Sequence, residues 1–422
     1  MSGTTYKSVR GMRDLLPDVT ARWLALERAA VDALGAYGYG EIRLPLLEET
    51  ALFSRGVGEA TDIVEKEMYT FASRDKDATS LTLRPEATAS CARALLQHGL
   101  LHNQAQKVWY RGPMFRYERP QKGRYRQFEQ IGAEVFGIAG PMVEAELIGL
   151  CADVFAEIGV LESLTLELNT LGSGAARVAY REALTGYLGE HFDALDGDSQ
   201  RRMTTNPLRI LDSKVPTTQE VLTGAPRLPD FVDEEAKAHF AQLCSMLDSL
   251  GVAYTLNPGL VRGLDYYTHT VFEWTTSALG AQGTVCGGGR YDGLVALLGG
   301  RATPGAGFAM GVDRLVLLQE ACQAGDPGPA CDAVVVCADA AASGYALRVA
   351  RAARDAGLRV RNDQAGGKLK TQMKRADASG ATYALIVGGD EAASETVGIK
   401  PLRGGEQREV ALTALAETLT AF

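Results

Sequence analysis

Residues 115–134 read FRYERPQKGRYRQFEQIGAE, and within them Arg116, Arg119, Lys122, Arg124 and Arg126 fall inside eleven residues of a chain whose formal net charge is -9. The flanking segments KVWYRGPMFRYE and YRQFEQIGAEVFG suit strands, and RPQKGR between them holds the proline and glycine of a turn. This predicts a long antiparallel hairpin with a basic tip. Alternation along the second strand places Phe128, Gln130, Gly132 and Glu134 on one face and Ile131, Ala133 and Val135 on the other. The latter is a core face. The former offers an aromatic plane, an amide, an absent side chain and a carboxylate, and reads as a pocket floor. On the first strand Arg116 and Glu118 share a face by the same rule. An arginine fork matches phosphate geometry, and each close pair of opposite charges is worth about 4 kcal/mol at an effective dielectric of roughly 20, before desolvation is subtracted. A loop of such charge reaching beyond a sheet is placed for a polyanion.

The rest of the chain narrows the classes. Its 422 residues, 46% hydrophobic, can bury a large core and make two or more domains. No run approaches the roughly 18 apolar residues of a membrane helix, and Met1 to Arg13 carries no apolar signal core, so the expectation is a cytoplasmic protein with no membrane partner. Seven cysteines without a C-x-x-C pair read as reduced thiols and exclude a disulfide scaffold or zinc knuckle. His98 and His102 stand i, i+4, but Gly99 and Asn103 weaken a helix there and no acidic residue completes a metal site. GAGFAMG, Gly305 to Gly311, lacks the spacing and the strand-loop-helix unit of a dinucleotide fingerprint, and GGKLK at Gly366 lacks the rest of a Walker loop.

The segment EACQAGDPGPACD, Glu320 to Asp332, is the strongest domain boundary. Beyond it, strand-like AVVVCA, LRVRND, YALIVGG and TVGIKPL alternate with helical stretches, predicting a small α/β domain with a partly parallel sheet. Residues 330–422 carry twelve Lys or Arg against eleven Asp or Glu, and residues 348–375 carry nine against two. Arg348, Arg351 and Arg354 at helical spacing, with Lys368, Lys370, Lys374 and Arg375, form either a solvated face or a phosphate-backbone contact surface. Residues 172–233 read as a helical insertion within the larger domain.

FRYE followed by RYRQF is similar to motif 2 of the class II aminoacyl-tRNA synthetases, Phe-Arg-x-Glu, loop, Arg-x-x-x-Phe. GAGFAMGVDRL, Gly305 to Leu315, resembles their motif 3, and YGYGEIRLPLLEE around Pro45 resembles the dimer-forming motif 1. RGLDYYTHTVFE, Arg262 to Glu273, and TLRPEATA, Thr82 to Ala89, resemble signatures of the histidyl-tRNA synthetase family, and the likeness runs from GMRDLLP at Gly11 through the final domain. The resemblance implies an α+β fold: an antiparallel catalytic sheet flanked by helices over residues 1–325, interrupted by the insertion, then a linker at 326–331 and an anticodon-binding-type domain at 332–422. It implies activation of L-histidine by ATP, transfer to the 3′ end of tRNA(His), and a homodimer paired through the Pro45 region. Mg²⁺ is expected with ATP, and no dedicated protein metal site.

By the same resemblance Arg116 and Arg262 are the catalytic cations on either side of the α-phosphate. Phe128 stacks on adenine with Glu118 near it, while Arg124 and Arg314 hold the outer phosphates. Glu86, Thr88 and Gln130 match the holders of the α-amino group; Glu134 and Tyr267 match the partners of the imidazole nitrogens, with Tyr266 and Tyr291 closing the pocket. A site that pairs both ring nitrogens can reject analogues lacking them by roughly 10⁴. Arg119, Gln121 and Lys122 are expected at the acceptor end of the tRNA. Taken singly, the three tyrosines also fit an ordinary core, and Glu86 also fits a helix cap after Pro85.

Two residues depart from the commonest bacterial wording. Glu129 stands where histidine is usual and by alternation points away from the pocket; Ala87 stands where glycine is usual and requires φ below zero. The rival reading is the histidine-binding regulatory subunit of ATP phosphoribosyltransferase, a synthetase-like family that usually lacks the final domain and the arginine of RGLDYY, both present here. A non-catalytic RNA-binding module would need only the basic surfaces, without Arg116, Arg262 and Arg314 together.

Overall fold

The computed structural model describes residues 6–58, 61–74, 77–280, 283–326 and 328–420. The chain divides into two compact units, the first ending at Gly325 and the second beginning at Asp326; the second also takes in Pro17–Arg22. The first unit is organised on the hairpin. Strands Gln106–Phe115 and Gln127–Phe136 pair antiparallel in unbroken register from Gln106 opposite Phe136 to Phe115 opposite Gln127. The first strand therefore ends one residue before Arg116, and the expectation that Arg116 and Glu118 share a strand face is corrected. The Arg116 amide still donates to the Arg126 carbonyl at 2.9 Å, but the next amide, that of Tyr117, turns away to the Glu67 carbonyl at 2.7 Å, which opens the loop.

The hairpin is part of an eight-stranded sheet. Outward from its second strand lie Gly305–Gly311, Thr284–Arg290, Thr268–Thr275 and Thr165–Thr170, all antiparallel, with the short Gly40–Glu41 and Thr255–Leu256 added in parallel at the two edges. GAGFAMG is thus a central strand, and one of its glycines, Gly307, stands opposite Gly289 of TVCGGGR, while Gly287 and Gly288 face Ala309 and Phe308. Behind the sheet, helix Met142–Glu157 is buried nearly all round, with Leu147, Ile148, Leu150 and Val154 fully enclosed between the sheet and helix Glu234–Leu250. Side chains of that size contribute about 1.5–3 kcal/mol each when fully buried, so this layer anchors the unit. An ion pair crosses it: Glu144 takes Arg290 Nε at 2.8 Å and a second, shorter bond from Nη2, with His239 Nε2 at 2.7 Å. Burial alone would raise the Glu144 carboxyl, but Arg290 and His239 outweigh it and hold it at about 2. The pair fixes Arg290 and hence the start of Tyr291, the residue after it.

Between Thr165–Thr170 and Thr255–Leu256 the chain runs through a helical insertion that includes Gly174–Glu190, Gly197–Thr205 and Pro216–Leu222. Two of these helices begin on polar caps, with Ser173 Oγ accepting from the Ala176 amide and Asp196 from those of Asp198 and Ser199, while Pro216–Leu222 begins on a proline after Val215. A small antiparallel sheet, Leu47–Glu49, Ser80–Leu83 and Tyr69–Ala72, delivers the chain through Arg84 and Pro85 to helix Thr88–Gln97. That helix ends before His98, which sits at its C-cap with Gly99 and Asn103 following at positive φ, so His98 and His102 do not share a helix face.

The second unit has a five-stranded sheet ordered Val360–Asn362, Ala333–Cys337, Tyr383–Val387, Thr396–Pro401 and Arg408–Ala411, parallel across the first three and antiparallel across the rest. Helices Ser343–Asp355 and Leu369–Ala378 cover it, and Val335, Val349, Leu385 and Val397 form its core. This is the partly parallel α/β arrangement that the strand-helix alternation predicts.

Candidate active site

A cavity of about 300 Å³ lies over the hairpin's second strand and its neighbours Gly305–Gly311 and Thr284–Arg290. Twelve of the predicted residues line it: Glu86, Thr88, Arg116, Glu118, Arg124, Phe128, Gln130, Arg262, Tyr266, Tyr267, Tyr291 and Arg314. Alternation holds on the floor, for Phe128 and Gln130 face the cavity while Ile131, Ala133 and Val135 are buried on the other side. Glu129 does not line it. Its carboxyl faces a separate cleft with Glu27, Arg84 and Arg111, where burial first and then Asp313 push it up to about 7.

One wall is cationic. Arg116 donates from Nε to the Pro85 carbonyl at 2.9 Å, and its guanidinium lies 5.3 Å from the centre of the Phe128 ring. Arg124 is ion-paired with buried Glu118. Arg314, on the first turn of helix Val312–Ala321, donates to the carbonyls of Gly123 and Thr284. Burial, and then repulsion from Arg124 and Arg116, pulls Arg314 down to about 10. Opposite this wall Arg262 pairs with Glu273; burial opposes its charge, but the carboxylate wins and holds it above the ordinary range. Gly287 makes this possible, since a Cβ there would lie 2.6 Å from the Arg262 guanidinium. Glu273 in turn takes a hydrogen bond from Thr284 at 2.8 Å.

The other end is aromatic and acidic. Glu134 is fully buried beneath the cavity lining and accepts from Thr88 Oγ1 at 2.7 Å, from the Tyr110 hydroxyl at 2.9 Å and from the Tyr291 hydroxyl. Burial raises its carboxyl to about 8 against the pull of those hydroxyls. Tyr266 packs 4.7 Å from Tyr267 and 5.4 Å from Tyr291, ring centre to ring centre. Glu86 does cap the following helix, accepting from the amides of Thr88 at 2.7 Å and Ala89 at 3.0 Å, and it lines the cavity as well. Cap and lining coexist in one carboxylate. Ala87 stands at the helix N-cap with φ of -119°, as a non-glycine residue requires. Gln130 presents a buried side-chain oxygen without a hydrogen-bond partner, the mark of a group that a ligand would satisfy.

The basic loop is sorted rather than uniform. Arg116 and Arg124 turn into the cavity, whereas Arg119, Gln121 and Lys122 are exposed at the tip. Arg126 does neither: it stacks 3.8 Å from the Tyr117 ring centre and donates to the Glu118 carbonyl at 3.1 Å, stiffening the loop. Two functional neighbours are not marked in the sequence. Tyr110 occupies the space over Gly132, where a Cβ would lie 2.5 Å from its ring, so the missing side chain there serves a tyrosine and not the floor. Glu273 closes the RGLDYYTHTVFE segment but carries no signal beyond being a lone carboxylate in an apolar strand.

The antiparallel sheet with this paired cationic and aromatic cavity defines a class II aminoacyl-tRNA synthetase fold. Residues 11–315 match the family model described as histidyl-tRNA synthetase, and residues 332–422 match the anticodon binding domain. The chain belongs to the histidyl-tRNA synthetase family. It is similar to the apo histidyl-tRNA synthetase of S. aureus at 36% identity, over 98% of this chain and 99% of that one, with a TM-score of 0.80. The histidyl-tRNA synthetase of Nostoc sp. PCC 7120 shares the fold at 21% identity and a TM-score of 0.73, covering 99% of both chains. So does a Bacillus halodurans protein described as an ATP phosphoribosyltransferase regulatory subunit/histidyl-tRNA synthetase, at 21% identity, 92% and 100% coverage and a TM-score of 0.67. Among the described residues no helix is long and apolar enough to cross a membrane.

Proposed function

We propose that the protein is a histidine–tRNA ligase: it activates L-histidine with ATP and passes the acyl group to the 3′ end of tRNA(His), releasing pyrophosphate and then AMP. The observation that carries this is the wall of Arg116, Arg124 and Arg314, where burial and then repulsion from the neighbouring guanidiniums pull Arg314 down to about 10, a place an anion would relieve, set beside a pocket of tyrosines and Glu134. In the first step a histidine carboxylate oxygen bonds to the α-phosphorus as the bond to pyrophosphate breaks. Negative charge grows on the phosphorus oxygens, so fixed cations matter more than a proton carrier. Arg116 and Arg262 serve that charge from two sides; Arg124 and Arg314 hold the outer phosphates, and Phe128 stacks on adenine beside Glu118. In the second step a terminal ribose hydroxyl attacks the acyl carbon and AMP leaves.

Glu86, Thr88 and Gln130 receive the α-amino group. Glu134 and Tyr267 receive the two ring nitrogens, with Tyr266 and Tyr291 as walls. Mg²⁺ bound with ATP would neutralise phosphate charge; the nearby carboxylates of Glu118 and Glu273 pair with Arg124 and Arg262. Arg119, Gln121 and Lys122 meet the acceptor end, the second unit takes the anticodon, and the enzyme works in the cytoplasm as a homodimer. Exposed Leu46 and Leu47 beside Pro45 support pairing there.

Histidine-dependent exchange of labelled pyrophosphate into ATP, measured without tRNA and with each amino acid in turn, tests the reading. Exchange with histidine alone is expected. Folded protein that binds histidine but exchanges nothing would move the ATP phosphoribosyltransferase regulatory subunit to first place.

A further inference from the structure

The helical insertion does more than project from the catalytic sheet. Residues 257–267, which carry Arg262, Tyr266 and Tyr267, form neither helix nor strand, so their backbone polar groups lack a ladder to pair with. The insertion supplies partners. Arg177, on the first turn of helix Gly174–Glu190, donates from a single nitrogen, Nη1, to the carbonyls of Asp265 at 3.0 Å and Tyr267 at 2.5 Å, bridging the residues on either side of Tyr266. Asn206 Nδ2 donates to Asp265 Oδ1 at 3.1 Å. The Arg209 guanidinium lies against Gly263, 3.3 Å from where a Cβ would stand. At the insertion's root, the Leu171 amide meets the His269 carbonyl at 2.6 Å and the His269 amide meets the Gly172 carbonyl at 2.9 Å. The apolar side agrees, for Tyr266, Tyr267 and Tyr291 share one core with Tyr180, Leu184, Leu188 and Ile210 of the insertion.

We infer that the insertion is the back wall of the amino-acid pocket and that Arg177 is a positioning residue for Tyr266 and Tyr267, acting through the backbone it bridges. The inference rests on the synthetase reading and adds an asymmetry to it. The phosphate wall of Arg116, Arg124 and Arg314 stands on the hairpin loop and on helix Val312–Ala321, outside the insertion. Arg262, on the same segment, is held by its own pair with Glu273, so loosening Arg177 weakens histidine binding first and leaves the contacts to ATP largely in place.

The test is pyrophosphate exchange together with calorimetric titration of histidine and of ATP, on the full chain. Arg177→Met should raise KM and Kd for histidine about tenfold or more, while those for ATP stay within about twofold. Arg177→Lys, which keeps a cationic donor, should recover part of the loss. Asn206→Ala, which removes only the tie to the Asp265 carboxylate, should move the same constants less; it also serves should Arg177→Met fail to fold. Equal weakening of both substrates, or a lowered melting temperature with unchanged constants, would overturn the inference. Wild type that binds histidine without exchange sinks the synthetase reading alone, because the titrations still judge Arg177. Wild type that binds no histidine sinks both.

Discussion

The loop at 116–126 and the basic helices at 348–375 carry similar charge by composition and use it in opposite ways. In the loop, Arg116 and the Arg124–Glu118 pair line a cavity with Arg314, and burial followed by repulsion from the two neighbouring guanidiniums pulls Arg314 down to about 10. In the second unit the arginines are largely spoken for: Arg348 pairs with Glu395 at 2.9 Å, Arg375 with Asp363 at 2.7 Å, and Arg354 donates to the Val360 carbonyl at 2.7 and 3.2 Å. The exposed Arg348–Glu395 pair is worth at most about 1 kcal/mol. Arg314, desolvated among the guanidiniums of Arg116 and Arg124, gains from an incoming anion, whereas an exposed cation already paired with a carboxylate gains little. Counting charge in a sequence does not separate the two, and burial does.

The largest effect that would break the comparison lies in the cavity. If Arg262 has the catalytic role proposed above, Arg262→His should lower the rate of adenylate formation by about 10²–10³, about 2.7–4 kcal/mol, while histidine affinity changes little, since such a cation serves charge that develops only in the transition state. Pre-steady-state exchange and equilibrium titration separate the two quantities. A parallel fall in binding and rate would assign Arg262 to ground-state binding instead.

A second effect comes from Glu134, whose folded carboxyl is raised to about 8 from an ordinary 4.5. Between those values the native state holds a proton that the unfolded chain releases, so stability declines as pH rises from 4.5 through 8. At about 1.4 kcal/mol for each pH step across that window, the decline amounts to a few kcal/mol. Glu134→Gln should flatten the dependence of melting temperature on pH across the same window. A slope unchanged from wild type would remove Glu134 as its source.

The comparison also marks what is legible in the sequence. The hairpin is readable because alternation, a proline and a glycine agree over twenty residues, whereas GAGFAMG shows its pairing as a strand only in the structure. Counting alone puts Phe128 and Gln130 on the cavity face. It does not find the point where the strand stops, since Tyr117 leaves the ladder for the Glu67 carbonyl, fifty residues earlier in the chain. Tyr110 and Arg177 are invisible for the same reason: each acts on a group brought close only by folding, Tyr110 on Glu134 and Arg177 on the Tyr267 carbonyl. Glu86 shows a subtler limit. Its capping of Thr88 and Ala89 and its place in the cavity look like alternatives in the sequence, yet each carboxylate oxygen takes one capping amide while the residue still lines the cavity.

The smallest effects sharpen the comparison inside the basic regions themselves. Lys122 at the loop tip and Lys370 on helix Leu369–Ala378 are both exposed, so each is free to meet a phosphate. Replacing either with alanine should raise the KM for tRNA a few-fold and lower the salt slope of tRNA binding by about one, since one counterion-releasing contact is lost. Exchange without tRNA should not respond to Lys122→Ala. Arg354→Ala, by contrast, removes a bond to the Val360 carbonyl and should cost about 1–2 kcal/mol in the stability of the second unit, with little change in the salt slope. Denaturant titration and filter binding across a salt series distinguish these outcomes. If Arg354→Ala lowered the slope as much as Lys370→Ala does, its guanidinium would reach a phosphate while holding that carbonyl, and pairing would no longer separate structural from ligand-facing charge in this unit.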